Sequence, residues 1–425
     1  MPNFSLSDDT FRAAAAQFST PFHLYDEAGI RATARRLRKA FEGPYAFREY
    51  FAVKALPNPA ILRIFREEGC GVDCASLTEL MLARACGFTG DEIMFSANVV
   101  PPEEFALARE LGAYINLDDI THIPELEQAG GVPEEICLRY NPGGTFRAGN
   151  AIMGDPGEAK YGMTRPQLSQ ALTRLKADGA KRFGLHAFLC SCTTDPNYYP
   201  ELARLLFETG VELMAETGMT LSFINLSGGI GIPYRPDEPE ADIEAIGAGV
   251  RRMYDECFTR RGVSGVAVKT ELGRYMTGPQ GWLVTHITHE KNIHKHYLGV
   301  DASACDLMRP AMYGAYHHVT IPGREREPHT LTVDVTGCLC ENNDKFAVNR
   351  PLPEGTRVGD LLVIHDTGAH GLSMGYNYNG KLRCKEVLLR PDGSLTLIRR
   401  AETPADYFST LDGDECYASL LSGKR

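Results

Sequence analysis

Lys54 follows the apolar run Tyr50-Phe51-Ala52-Val53. A lysine desolvated at the end of such a run loses affinity for its proton and becomes nucleophilic toward carbonyls, as Schiff-base chemistry requires. A lysine that snorkels from the strand end to pair with a carboxylate is the other reading of the same position. Ser227-Gly228-Gly229-Ile230-Gly231 follows a second apolar run. Glycines there either let backbone N–H groups approach a phosphate or simply make a tight turn, and the dinucleotide spacing GxGxxG is absent. Glu271-Leu272-Gly273-Arg274 sets a carboxylate, a glycine and a guanidinium together. Such a set can pair with a protonated ring nitrogen and complete a phosphate cup, or form a surface ion pair. Further on, Cys338-Leu339-Cys340-Glu341 offers a thiol for proton transfer, or an incidental Cys-Glu pair. Arg309-Pro310-Ala311-Met312-Tyr313 offers a guanidinium and a phenol for a carboxylate, or a loop anchor, and Asn377-Tyr378-Asn379 a further phenol.

These residues need elements to hold them. From about residue 46, strand-like runs alternate with segments of helical period. The runs are Glu49–Ala55, Gly71–Ser76, Ile93–Asn98, Tyr114–Asp119, Ile136–Asn141, Phe183–Leu189, Phe223–Gly229 and Val268–Arg274, and the helix-like segments include Pro59–Glu68, Leu77–Ala85, Pro102–Leu111 and Tyr199–Glu216. Ser76-Leu77-Thr78-Glu79 reads as a capping box. Eight βα repeats over roughly 240 residues predict an α/β chain with a parallel (β/α)8 TIM barrel rather than a doubly wound open sheet. After residue 285 strands dominate, at Thr330–Val335, Asp360–His365, Glu386–Leu389 and Ser394–Arg399. With Phe22–Tyr25 they predict a second, mostly antiparallel β domain. The expected division is a barrel at 31–285 and a β-rich domain from 1–30 and 286–425. A barrel carries its active site at the C-terminal strand ends. Those ends collect Lys54, Asp73, Asn98, Asp118, Arg139, His186, the Ser227-Gly228-Gly229 turn, Glu271 and Arg274. Lysine, carboxylate and glycine turn in one mouth are the parts that pyridoxal phosphate needs.

Composition narrows the function classes. Of 425 residues, 43% are hydrophobic and 23% charged, and no stretch reaches the ~18 uninterrupted apolar residues of a membrane helix. The formal charge is 44 − 55 = −11 without a basic run, so neither nucleic acid nor an anionic membrane is an expected partner. Met1–Asp9 lacks the charged and apolar regions of a secretory leader, so the 12 cysteines are expected as reduced thiols in a cytoplasmic enzyme. Their spacings form no paired CxxC set, so no metal is expected, and His317-His318 reads as structural.

Tyr50–Pro59 (YFAVKALPNP), Gly71–Glu79 (GVDCASLTE), Ser227–Gly231, Glu271–Arg274, Arg309–Tyr313, Cys340–Asp344 and Asn377–Asn379 occur together and in one order. This set resembles the diaminopimelate decarboxylases, fold-type III pyridoxal-phosphate enzymes related to ornithine decarboxylase and alanine racemase. The resemblance spans about residues 20 to 410. It implies that Lys54 carries the cofactor and that Gly228, Gly229, Gly231, Gly273 and Arg274 hold its phosphate. It further implies that Glu271 pairs with the pyridine nitrogen, that Tyr378 reaches the phosphate, and that His186 and Ser191 also lie at the cofactor. Arg274, Arg309, Tyr313, Tyr378 and Glu341 match substrate-binding positions, and Cys340 matches a proton donor that reaches into the neighbouring subunit's site. The implied enzyme is a homodimer with shared active sites that converts meso-2,6-diaminopimelate to L-lysine and CO2, the last step of lysine biosynthesis. Sister decarboxylases act on D-ornithine, D-lysine or carboxynorspermidine.

Three positions depart from the pattern. His186-Ala187-Phe188-Leu189-Cys190-Ser191 has Phe188 where a histidine stacks on the cofactor ring. Leu272 replaces a proline, which is expected to loosen that turn, and His370 replaces a tyrosine.

Overall fold

A computed structural model describes residues 6–146 and 156–411; the extremes of the expected β-rich segments, 1–5 and 412–425, lie outside them. In chain order the strands are β1 (Phe22–Asp26), β2 (Phe47–Ala52), β3 (Gly71–Cys74), β4 (Ile93–Ala97), β5 (Tyr114–Leu117), β6 (Glu135–Arg139), β7 (Arg182–His186), β8 (Thr220–Asn225) and β9 (Ala267–Thr270). They continue with β10 (Gly281–Asn292), β11 (His296–Val300), β12 (Val319–Thr320), β13 (Leu331–Thr336), β14 (Lys345–Leu352), β15 (Leu361–Ile364), β16 (Lys385–Leu389) and β17 (Leu395–Arg399). Two compact units result. One comprises Arg31–Pro233 and Pro239–Met276; the other holds the remaining described residues, including the short segment Tyr234–Glu238.

In the first unit β2 to β9 close into a parallel barrel, with Phe47 of β2 opposite Val268 of β9. All eight expected barrel strands are present, but several stop early. The run Glu49–Ala55 yields a strand only to Ala52, and Val53–Ala55 is a 3-10 turn. Phe183–Leu189 ends as a strand at His186, and Val268–Arg274 ends at Thr270. Residues just past the strand ends stay buried, as Val53, Leu189 and Leu272 do, so strand-like composition persists where the hydrogen-bond ladder has ended. The helix Leu77–Ala85 starts at Ser76, whose hydroxyl accepts from the Glu79 amide at 3.4 Å. The reciprocal half of the expected box is displaced by one residue: Glu79 Oε2 accepts from Ala75 N at 2.7 Å. The helix Tyr198–Thr217 buries Leu202, Leu206, Phe207 and Leu213 along one stripe.

The second unit is a sheet in the order β14-β13-β11-β10-β1-β16-β17, with β15 pairing with both β10 and β12. Its pairs are antiparallel except β1 with β16 and β11 with β13. The N-terminal strand β1 sits inside this sheet, between β10 and β16, and Phe22–Tyr25 are all buried. A helix that the sequence reading lacked, Asp8–Phe18, sets Phe11 edge-on to Trp282 at 5.8 Å between ring centres. No helix among the described residues is long and apolar enough to cross a membrane.

Candidate active site

At the C-terminal end of β2, the 3-10 turn lifts Lys54 out of the barrel wall. Its Nζ donates to Asp73 Oδ2 at 2.9 Å; the lysine side chain is 52% exposed and that of Asp73 1%. Burial opposes the ammonium charge, but the Asp73 and Glu271 carboxylates outweigh it and raise Lys54 above the ordinary lysine range. Burial and the Glu271 charge push the Asp73 carboxyl up, against the pull of Lys54.

Glu271 lies one residue past β9 and is buried. Four donors converge on its carboxylate: Asn225 Nδ2 at 2.6 Å, Ser227 Oγ at 3.0 Å, His186 Nε2 at 3.1 Å and Ser96 Oγ at 3.3 Å. Asn116 Nδ2 in turn donates to Ser96 Oγ at 3.1 Å. Burial alone would raise this carboxyl; His186, Lys54 and the Asn225 bond instead hold it well below the usual carboxylate range. Burial lowers the His186 pKa against the opposing pull of Glu271; Nε2 faces the carboxylate, and the buried Nδ1 meets no partner among the described residues. The result is a buried anionic acceptor held by four side-chain donors.

The turn carrying Glu271 is tied down by a residue the sequence reading passed over. Buried Glu49 accepts from Leu272 N at 2.7 Å and from the Thr270 hydroxyl. Leu272 therefore does not loosen the turn, because its amide makes a hydrogen bond that a proline has no N–H to make. Leu272 O also accepts from Ala52 N at 3.1 Å. Gly273 has no room for a side chain, since a Cβ there would stand 2.7 Å from that of Ala55.

The glycine turn follows β8. A Cβ on Gly228 would meet Glu271 O at 2.8 Å, so only glycine brings this backbone against the Glu271 strand end. Ser227 adopts φ 54° and is held by Asn225 Oδ1 through its amide at 2.8 Å. Gly231 N donates to Thr193 O, whereas the amides of Gly228 and Gly229 meet no acceptor among the described residues. Those two donors fit a phosphate; Gly231 shapes the turn. Phe188 lies beyond β7, 3.6 Å from where a Gly228 Cβ would stand, and half-buried Ser191 follows in the same loop. Half-buried Arg274 opens the short helix Arg274–Thr277.

In the β unit, Arg309 opens the short helix Arg309–Tyr313 and is buried, while Tyr313 is 66% exposed. Cys340 and Glu341 are exposed in a loop closed by Asp344, whose carboxylate accepts from Ala304 N at 2.8 Å and Leu339 N at 2.7 Å. Tyr378 is also exposed, and His370 stands at φ 55°. His317 and His318 precede β12 instead of lying on a strand; His317 is buried and His318 half-buried.

Residues 27–278 match the family described as pyridoxal-dependent decarboxylase, pyridoxal binding domain. The chain belongs to this family. The decarboxylase is 41% identical to Protein TabA of Pseudomonas amygdali pv. tabaci, over 92% of this chain and 90% of that one. It is 33% identical to the diaminopimelate decarboxylase of Methanothermobacter thermautotrophicus, over 96% of this chain and 94% of the relative. The solved diaminopimelate decarboxylase of M. jannaschii in complex with L-lysine superposes with a TM-score of 0.86 at 28% identity, covering 95% of this chain and 94% of that one. The cofactor of this decarboxylase is pyridoxal phosphate. The residues fit it: an accessible amine, an ionised buried carboxylate and two unused turn amides belong to one unit.

Proposed function

We propose that this decarboxylase converts meso-2,6-diaminopimelate to L-lysine and CO2, as the last step of lysine biosynthesis in the cytoplasm. The observation that carries the reading is Arg309: a buried guanidinium with no carboxylate partner among the described residues, in a chain that aligns almost end to end with diaminopimelate decarboxylases. An arginine left in that state suits a ligand carboxylate remote from the reacting carbon.

The cofactor supplies an electron-accepting ring for the pair released when C–CO2 breaks. Lys54 holds its aldehyde carbon, the amides of Gly228 and Gly229 bind phosphate, and Gly231, Gly273, Arg274 and Tyr378 complete that end. His186 and Ser191 border the ring. Glu271 keeps a proton on the ring nitrogen; Ser96, the longest of its four contacts, is the one a further donor displaces. Arg274, Arg309, Tyr313, Tyr378 and Glu341 grip the substrate's remaining charged groups. Cys340 delivers the proton that replaces CO2 at the α-carbon, reaching into a neighbouring subunit's site, so the working form is a homodimer. The 41% identity to Protein TabA, above the 33% to the diaminopimelate decarboxylase of Methanothermobacter thermautotrophicus, supports a second reading in which the substrate is not meso-diaminopimelate; D-ornithine, D-lysine and carboxynorspermidine, the substrates of sister decarboxylases, are then the candidates.

Purified protein with pyridoxal phosphate is offered meso-diaminopimelate, D-ornithine and D-lysine in parallel, with CO2 measured and the product resolved by chiral chromatography. Stoichiometric L-lysine from meso-diaminopimelate alone is expected; CO2 only from another amino acid moves the enzyme to the second reading. Lys54→Ala loses turnover with its fold intact, and borohydride treatment of the wild type leaves a pyridoxyl group on the Lys54 peptide.

A further inference from the structure

Arg309 is held in an unusual way. Its Nη1 donates to Tyr234 Oη at 2.6 Å and approaches His317 Nε2 at 3.5 Å. His317 Nδ1 lies 2.8 Å from the His365 carbonyl oxygen. A carbonyl only accepts, so Nδ1 carries the hydrogen and Nε2 turns its lone pair toward Arg309. Both holders are neutral acceptors. A structural arginine is normally neutralised by a carboxylate; this one is oriented while its charge is left for something else.

Tyr234 is itself fixed. It belongs to Tyr234–Glu238, the five residues that pack with the β unit although barrel residues flank them in sequence. Glu238 Oε2 accepts from the amides of Tyr234 at 2.9 Å and Arg235 at 3.1 Å. The Arg235 guanidinium lies over the Tyr316 ring at 4.0 Å, and Tyr316 Oη accepts from Arg350 Nη1 at 2.9 Å. The Tyr234 ring stands edge-on to His317, with centres 5.1 Å apart. Segment, phenol and imidazole thus form a preorganised seat for one guanidinium.

We propose that Tyr234 is a positioning residue that sets substrate specificity: pinned by Glu238 and Arg235, its phenol aims the Arg309 guanidinium at a carboxylate on the remote end of the substrate. This rests on the role of Arg309 given above. Sequence spacing does not reveal it, because the two residues are 75 positions apart.

The test is steady-state kinetics of the holoenzyme on meso-2,6-diaminopimelate for wild type, Tyr234→Phe, Arg309→Ala and the double variant. Tyr234→Phe removes one oxygen and keeps the ring. Expected is a KM raised about tenfold with kcat within about twofold, and a double variant no worse than Arg309→Ala, since the phenol acts through the guanidinium. A normal KM in Tyr234→Phe beside a raised KM in Arg309→Ala overturns the proposal. So does a fully additive double variant, or a loss confined to kcat. If the wild type decarboxylates a different amino acid, the substrate reading has failed: on a substrate with a remote carboxylate, matched KM increases uphold the role of Tyr234 and unmatched ones refute it, whereas a preferred substrate with no remote carboxylate overturns the proposal.

Discussion

Lys54 and Asp73 form an ion pair at 2.9 Å whose carboxylate is buried and whose ammonium is half exposed. The pair sets the proton affinity of the only lysine at this strand end. With the carboxylate gone, an opposite charge within reach of Lys54 is lost, and the amine's pKa falls. Asp73→Asn is therefore expected to capture pyridoxal phosphate at lower pH than the wild type, because a larger fraction of Lys54 is the free amine. Cofactor uptake by apoenzyme, followed spectroscopically across pH, measures this; an unshifted profile would show that Asp73 does not govern Lys54.

Asn225 makes the shortest of the four contacts to Glu271, at 2.6 Å. Asn225→Ala should raise the Glu271 carboxyl toward its ordinary value and weaken its hold on a ring proton. Loss of one hydrogen bond to a charged group corresponds to about tenfold or more in rate. The expected result is a lowered kcat at unchanged cofactor stoichiometry; a wild-type kcat would mean that the other three donors suffice.

Leu272→Pro deletes the amide that binds Glu49. Burial already raises Glu49 well above the ordinary carboxylate range, and removing a donor leaves it worse satisfied. The variant should be destabilised by about 1–3 kcal/mol, read as a lower midpoint in urea. Equal or greater stability would mean that the turn finds another donor for Glu49.

Lys269 projects from β9 into the barrel floor, with Nζ 3.3 Å from the Tyr114 ring centre and 3.8 Å from that of Phe223, and with no hydrogen-bond partner among the described residues. Burial pulls its pKa from 10.5 down to about 7, while the ring faces favour the cation. The sign follows from proton counting. Between pH 7 and 10.5 the unfolded chain binds more protons at this site, so Lys269 contributes a penalty that is absent above 10.5, grows as pH falls and is complete below 7. Lys269→Met should raise Tm at pH 7 and flatten the rise in stability between pH 7 and 10.5. Thermal melts at several pH values check this, and parallel curves for the two proteins would contradict it.

The sequence by itself determined the number of barrel strands, because alternation of strand and helix periods is a local property of the chain. It also determined the chemical types at the mouth: Lys54, the glycine turn and Glu271 each stand next to the run that positions them. The ends of the strands were not legible, since Val53, Leu189 and Leu272 stay buried past the last ladder bond and keep strand-like composition. Nor was the shell around Glu271. Ser96, His186 and Asn225 come from β4, β7 and β8, with Asn116 of β5 holding Ser96, and only barrel closure brings a serine, an amide and an imidazole to a carboxylate beyond β9. The same holds for Glu49 with Leu272, 223 positions apart, and for Tyr234 with Arg309. Lys269 lies within the run Val268–Arg274 with nothing in the sequence to mark it; the rings of Tyr114 and Phe223 reach it only through the fold. Residue type fixes what a group can do; its proton affinity and its aim depend on neighbours distant in sequence, which the fold alone supplies.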